Sequence, residues 1–95
     1  MILHITNAKY LKDYQVEVEF NDGRKGVADL SSVLQGPVFE PLKDQAIFAQ
    51  LRVDPVLETI IWPNGVDLAP ESVYYRAFMD DPKLQKQFKE WGYKN

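Results

Sequence analysis

The chain has 95 residues, enough for one hydrophobic core and too few for two, so it reads as a single domain spanning positions 1–95. Apolar residues make up 45% of it and charged residues 26%, a balance that belongs to a folded globule and excludes a disordered tail. The absence of cysteine excludes disulfides and thiolate metal sites, and the net charge of −3 is modest.

That charge is unevenly spread. Residues 82–95 hold Lys83, Lys86, Lys89 and Lys94 against Glu90, a local +3, while the remainder carries seven basic and thirteen acidic residues, a local −6. An acidic body repels a nucleic-acid backbone and suits a basic partner. The opening M-I-L-H-I-T-N-A lacks the basic start and sustained apolar run of a signal peptide, and no stretch approaches the ~20 apolar residues that span a bilayer. A cytoplasmic location without membrane association is expected.

In chain order, the first element expected is a strand over about 3–10. Next, Val16, Val18 and Phe20 alternate with Gln15, Glu17 and Glu19 at the two-residue period of a half-buried strand. Asn21-Asp22-Gly23 supplies a tight turn that tolerates positive φ, and residues 24–30 return as the partner strand. Asp29 or Ser31 caps a short helical turn that Gly36 and Pro37 stop. Residues 38–42 read as an irregular crossing with Phe39 and Leu42 buried, and 43–50 read equally as a short helix or the start of a strand.

A second hairpin is expected between 48 and 68, with strands near 51–53 and 58–62 around Asp54-Pro55, followed by a turn at Pro63-Asn64-Gly65 and a brief strand at 66–68. Ala69-Pro70-Glu71 opens a helix that runs to about Met79, because proline is tolerated in the first turn and glutamate favours the positive end of the helix dipole. Asp80-Asp81-Pro82 ends that helix and caps the last one, which carries Leu84, Phe88 and Trp91 on one face and stops at Gly92. The fold class expected is α+β: a small antiparallel sheet of four to six strands, short connecting helices, and two C-terminal helices packed on one face. Its core is drawn from Val16, Val18, Phe20, Leu30, Phe39, Leu42, Ile60 or Ile61, Trp62, Phe78, Phe88 and Trp91.

Chemistry is sparse in the sequence. The single histidine, His4, cannot anchor a typical zinc site, and as a general base it needs a buried acid beside it. Ser31, Ser32 and Ser72 sit where helices begin, so capping accounts for them. No phosphate-binding, dinucleotide-binding or calcium-loop motif occurs. Neither catalysis nor a cofactor is expected. The last two helices, with Lys83, Lys86 and Lys89 on the second, admit comparison with a helix-turn-helix. The alternative is that Leu84, Phe88 and Trp91 dock this helix on the sheet while the lysines face water.

The segments F-N-D-G-R-K-G-V-A-D-L (20–30), G-P-V-F-E-P-L (36–42) and I-W-P-N-G-V-D-L-A-P-E-S-V-Y (61–74) together resemble the family known as domain of unknown function 2442, over roughly residues 3–75. Residues 1–75 then form the shared region, and 76–95 a C-terminal helical extension. The resemblance implies a small bacterial protein that binds another protein, as antitoxin to a small basic toxin-like partner, and it transfers no catalytic residues. Self-association is left open. Trp62, Asn64, Asp67 and Glu71 are the candidate partner surface. The same motif also has a purely structural reading: a turn at 63–65, Trp62 plugging the core, Asp67 accepting backbone hydrogen bonds, and a helix start at Pro70. A nucleic-acid-binding regulator that uses Lys83, Lys86 and Lys89 is the alternative function.

Overall fold

The computed structural model describes residues 2–93. Alternation drives the first sheet: along β2 (Gln15–Phe20), Val16, Val18 and Phe20 are buried while the intervening residues stay partly exposed. It pairs antiparallel with β1 (Ile5–Lys12) and β3 (Lys25–Asp29) on either side. A register irregularity between Ile5 and Asn7 shifts the phase of β1. Ile5 before it and Ala8 and Tyr10 after it therefore all lie against the core, one residue out of step with strict alternation.

The β2–β3 turn closes as Gly23 N–H donates to the Phe20 carbonyl at 3.0 Å and Phe20 N–H to the Arg24 carbonyl at 3.0 Å, with Gly23 at φ +88°. Trp62 to Val66 repeats this device, with Gly65 at φ +86° and both bonds at 2.9 Å. In each, the side chain before the glycine, Asp22 or Asn64, accepts a hydrogen bond from the N–H two residues on.

After β3, a 3₁₀ turn at Ser31–Val33 is held by Asp29, whose Oδ1 accepts from Ser31 N–H and Oγ–H. Residues 38–42 are more regular than their sequence implies, since Glu40–Lys43 forms a second 3₁₀ turn that buries Leu42 and leaves Phe39 only partly covered. The ambiguous stretch after it is a helix, α1 (Gln45–Phe48), capped by Asp44, whose carboxylate accepts from Ala46 N–H at 2.9 Å. The second hairpin is β4 (Arg52–Asp54) with β5 (Thr59–Ile61). It forms a separate two-stranded sheet, so the five strands among the described residues lie in two sheets rather than one. A backbone hydrogen bond from Ile5 N–H to the Glu58 carbonyl, 3.0 Å, ties it to the first sheet. The brief strand expected at 66–68 reduces to one bridge between Ile61 and Asp67.

Helix α2 (Pro70–Phe78) starts at its proline, packs over β3, and buries Val73 and Tyr74. Helix α3 (Gln85–Glu90) buries Phe88 against Tyr75 and Tyr74, at ring separations of 5.0 and 6.3 Å. It thus reaches the core through α2, with Leu84 buried beside it and Trp91 partly covered. Two aromatic clusters fill the interior. Phe48 gathers Tyr10, Tyr14 and Trp62, while Tyr74 gathers Phe20, Phe78, Phe88 and Trp91. No helix among the described residues is long and apolar enough to cross a membrane.

Candidate functional site

The Asn21-Asp22 turn does more than reverse the chain. Asn21 and His4 exchange hydrogen bonds, His4 N–H to Asn21 Oδ1 at 2.8 Å and Asn21 N–H to the His4 carbonyl at 3.0 Å. Asn21 Nδ2 also donates to the Ile2 carbonyl at 2.7 Å, so one amide side chain holds residues 2–4 alongside the turn. Asp22 Oδ2 accepts from the Tyr74 hydroxyl at 2.7 Å, which ties the turn to α2. Arg24 lies 3.8 Å from Asp22 and donates to Asp81 Oδ2 at 3.1 Å, joining the turn to the segment before α3. Burial, and then the Asp22 carboxylate, push the Tyr74 hydroxyl up to about 12, so it remains a donor at neutral pH.

These ties enclose a groove of about 400 Å³. It is lined by Ile2, Leu3, Asn21, Asp22, Glu71, Tyr74, Gln87 and Trp91. Two carboxylates thus sit beside two aromatic rings. Such a lining suits an ammonium or guanidinium group, which gains from carboxylate charge and from ring faces together.

The predicted site residues do not converge. Trp62 is 1% exposed, its indole N–H donating to the Phe48 carbonyl at 2.9 Å, so it is a core residue and presents nothing to a partner. Asn64 and Asp67 are exposed, in the Trp62–Val66 turn and just after it, and Glu71 alone lines the groove. The Asp67 carboxylate, expected to accept backbone hydrogen bonds, accepts none among the described residues; its backbone bridge to Ile61 needs no side chain. Lys83, Lys86 and Lys89 are exposed and in no ion pair among the described residues, and Lys94 lies outside them. Their separation from the buried Leu84 and Phe88 matches a helix that docks with its lysines in water, but Phe88 packs on Tyr74 and Tyr75 of α2 rather than on the sheet.

A second hollow, also about 400 Å³, shares Asn21 in its lining. His4 Nδ1 is 2.6 Å from Glu58 Oε2 there, both partly exposed, and Ile5, Val53 and Pro55 supply its apolar lining. No group of three or more histidine and acidic residues suited to a metal ion occurs among the described residues. Sequence reasoning misses Asn21, Asp22, Tyr74 and Gln87 as groove residues. Asn-Asp-Gly explains itself as a turn, and Tyr74 stands 52 positions from its partner Asp22.

A family model described as "Protein of unknown function (DUF2442)" matches residues 5–78, ending on the last residue of α2 and leaving α3 outside. A search of curated proteins finds no match. Among solved structures, the chain is similar to the crystal structure of "Putative DNA Binding Protein NE0471 from Nitrosomonas europaea ATCC 19718", with a TM-score of 0.75 and 15% sequence identity. That likeness covers 100% of this chain and 64% of the other, and it is one of fold.

Proposed function

The chain belongs to the DUF2442 family of proteins of unknown function, and from that premise we propose that it works in the bacterial cytoplasm as a protein-binding module, without catalysis, for a small basic partner. The observation that carries this reading is the groove that Asp22 and Glu71 line together with Tyr74 and Trp91. A lysine or arginine side chain of the partner enters it. The acidic character of the chain before Pro82 adds a long-range term, because complementary potentials speed encounter and discourage wrong partners. The family resemblance adds the biological sense, neutralisation of a toxin-like protein.

Co-expression with the product of the adjacent reading frame, followed by calorimetric titration, tests this. Glu71→Lys is expected to weaken binding by about tenfold or more, the equivalent of ~1.4 kcal/mol. Changing Lys83, Lys86 and Lys89 to glutamine leaves it unaltered. No complex, or indifference to Glu71→Lys, refutes the reading.

One observation favours a second reading, binding of nucleic acid: Lys83, Lys86 and Lys89 are exposed without ion-pair partners among the described residues, and the similar crystal structure carries a DNA-binding name. In that case affinity for duplex DNA falls steeply with salt, by a log–log slope of about 0.9 per phosphate contacted, and the triple glutamine variant abolishes it.

A further inference from the structure

We propose that the groove at Asp22 and Glu71 is an arginine pocket, which takes the guanidinium of a partner protein's arginine in preference to a lysine ammonium; this rests on the cation-binding reading of that groove and narrows it to one side chain. Among the described residues, four carboxylates line the two hollows, and three of them are already engaged. Asp54 holds its own turn and Arg52, and Glu58 holds His4. Asp22 accepts from Arg24 N–H at 2.9 Å and from the Tyr74 hydroxyl at 2.7 Å. The Glu71 carboxylate alone of the four has no hydrogen bond and no ion pair among the described residues, although Glu71 is partly buried. A carboxylate drawn part-way out of water with no cation beside it is short of one positive charge.

The acceptors left open are spread over three residues. Glu71 offers both oxygens, the Gln87 side-chain amide has no hydrogen bond among the described residues, and each Asp22 oxygen, with one bond made, keeps a second lone pair. They come from three places in the fold: the β2–β3 turn, the first turn of α2, and α3. An ammonium gathers its three donors on one atom and serves such a spread poorly, whereas a guanidinium carries five in a fixed plane. The aromatic part of the lining selects in the same direction. Tyr74 is only 3% exposed, so the partly exposed Trp91 is the ring a ligand meets, and indole attracts cations more strongly than the other aromatic rings. Guanidinium is more weakly hydrated than ammonium, so it loses less on entering a lining that also holds Ile2 and Leu3. Both kinds of contact already occur inside this chain: Arg24 reaches Asp22 and Asp81, at 3.8 and 3.1 Å, and the Arg76 guanidinium stands 5.3 Å over the Tyr75 ring. Gln87 and Trp91 lie beyond the residues that the family model matches, so part of what selects arginine lies outside the family region.

Heteronuclear NMR titration of the full chain with N-acetyl-arginine methylamide and, separately, with N-acetyl-lysine methylamide tests it. The arginine probe is expected to bind with a dissociation constant of about 1–10 mM. It shifts the amides of Asp22, Glu71 and Gln87 and the Trp91 indole N–H, and the lysine probe binds about fivefold more weakly or worse. Glu71→Gln weakens the arginine probe about fivefold, the upper end for an ion pair open to solvent, with an unchanged circular dichroism spectrum. Gln87→Ala, at an exposed position, narrows the gap between the two probes. Asp67→Asn, at an exposed carboxylate outside the groove, alters neither affinity. Equal affinity of the two probes at the groove overturns the arginine preference and leaves a general cation groove standing. Shifts centred elsewhere, no shifts from either probe, or equal effects of Glu71→Gln and Asp67→Asn overturn the cation-binding reading along with it.

Discussion

Replacing Gly26 with alanine places a methyl group where the Phe78 ring already lies. Gly26 sits on β3 opposite Val18, two residues before the buried Ala28, on the face that α2 covers. A Cβ there falls 2.7 Å from Phe78 Cε1, 3.3 Å from Cζ and 3.5 Å from Cδ1. Unlike Gly23, Gly36, Gly65 and Gly92, it has no positive φ, so contact rather than backbone conformation keeps a side chain out. Overpacking of this kind costs about 1–3 kcal/mol. Loss of glycine's freedom in the unfolded chain offsets roughly 0.4–1 kcal/mol of it. A net destabilisation of about 0.5–2 kcal/mol is expected from these two effects.

Phe78→Ala is destabilising by itself, because the ring also packs on Tyr74 and Phe20 at 4.8 and 5.9 Å. In the Phe78→Ala background, however, Gly26→Ala becomes neutral or stabilising. The four proteins form a double-mutant cycle, read by urea unfolding monitored through tryptophan fluorescence, with a coupling of about 1–2 kcal/mol expected. If Gly26→Ala costs the same with and without the Phe78 ring, the packing argument is wrong.

Three further outcomes follow from the same geometry. Tyr74→Phe removes the bond to Asp22 and costs about 0.5–2 kcal/mol near neutral pH. Because the folded pKa of Tyr74 is raised from 10.0 to about 12, its contribution is complete below pH 10 and is lost as pH climbs through 12. The stability gap between wild type and Tyr74→Phe therefore narrows over that window in denaturation series, and a gap that stays constant contradicts the assignment. Trp62→Phe removes the indole donor from the Phe48 carbonyl, which keeps only the Leu51 N–H at 3.2 Å, and opens space in the core. A loss of about 2–4 kcal/mol is expected, seen as a melting-temperature drop of roughly 10–25 °C, and a drop under about 4 °C counts against the buried bond. Asp44→Ala removes the cap of α1 and costs about 1 kcal/mol, with faster hydrogen exchange expected at Ala46.

Local rules make much of this fold legible in the amino-acid order. Alternation over 15–20, the two Asx-Gly turns, proline at the start of α2 and the spacing of Leu84 and Phe88 each express a preference satisfied within a few residues, and each appears in the folded chain. The phase slip in β1 has no such signature, because its cause is the pairing partner. The same holds for the split into two sheets, since nothing near Glu58 in sequence announces that its carbonyl meets Ile5. The 3₁₀ turn at 40–43 and the placement of Phe48 beneath Tyr14 and Trp62 likewise depend on what packs above them.

The candidate surface shows the same division. Composition determines the acidic body and the basic end of the chain, since both are sums over residues regardless of their arrangement. Glu71 is legible as a helix-start carboxylate, and the lysines as a solvated row. The motif around Trp62 admits both a partner-surface and a core-plug reading, and because the indole is apolar and its one donor finds the Phe48 carbonyl inside, the core reading holds. The groove exists only because Asp22 and Tyr74, 52 positions apart, are brought within 2.7 Å by the packing of α2 on β3. Periodicity and turn chemistry act over a few residues; a site assembled by long-range contacts is decided by the tertiary structure alone.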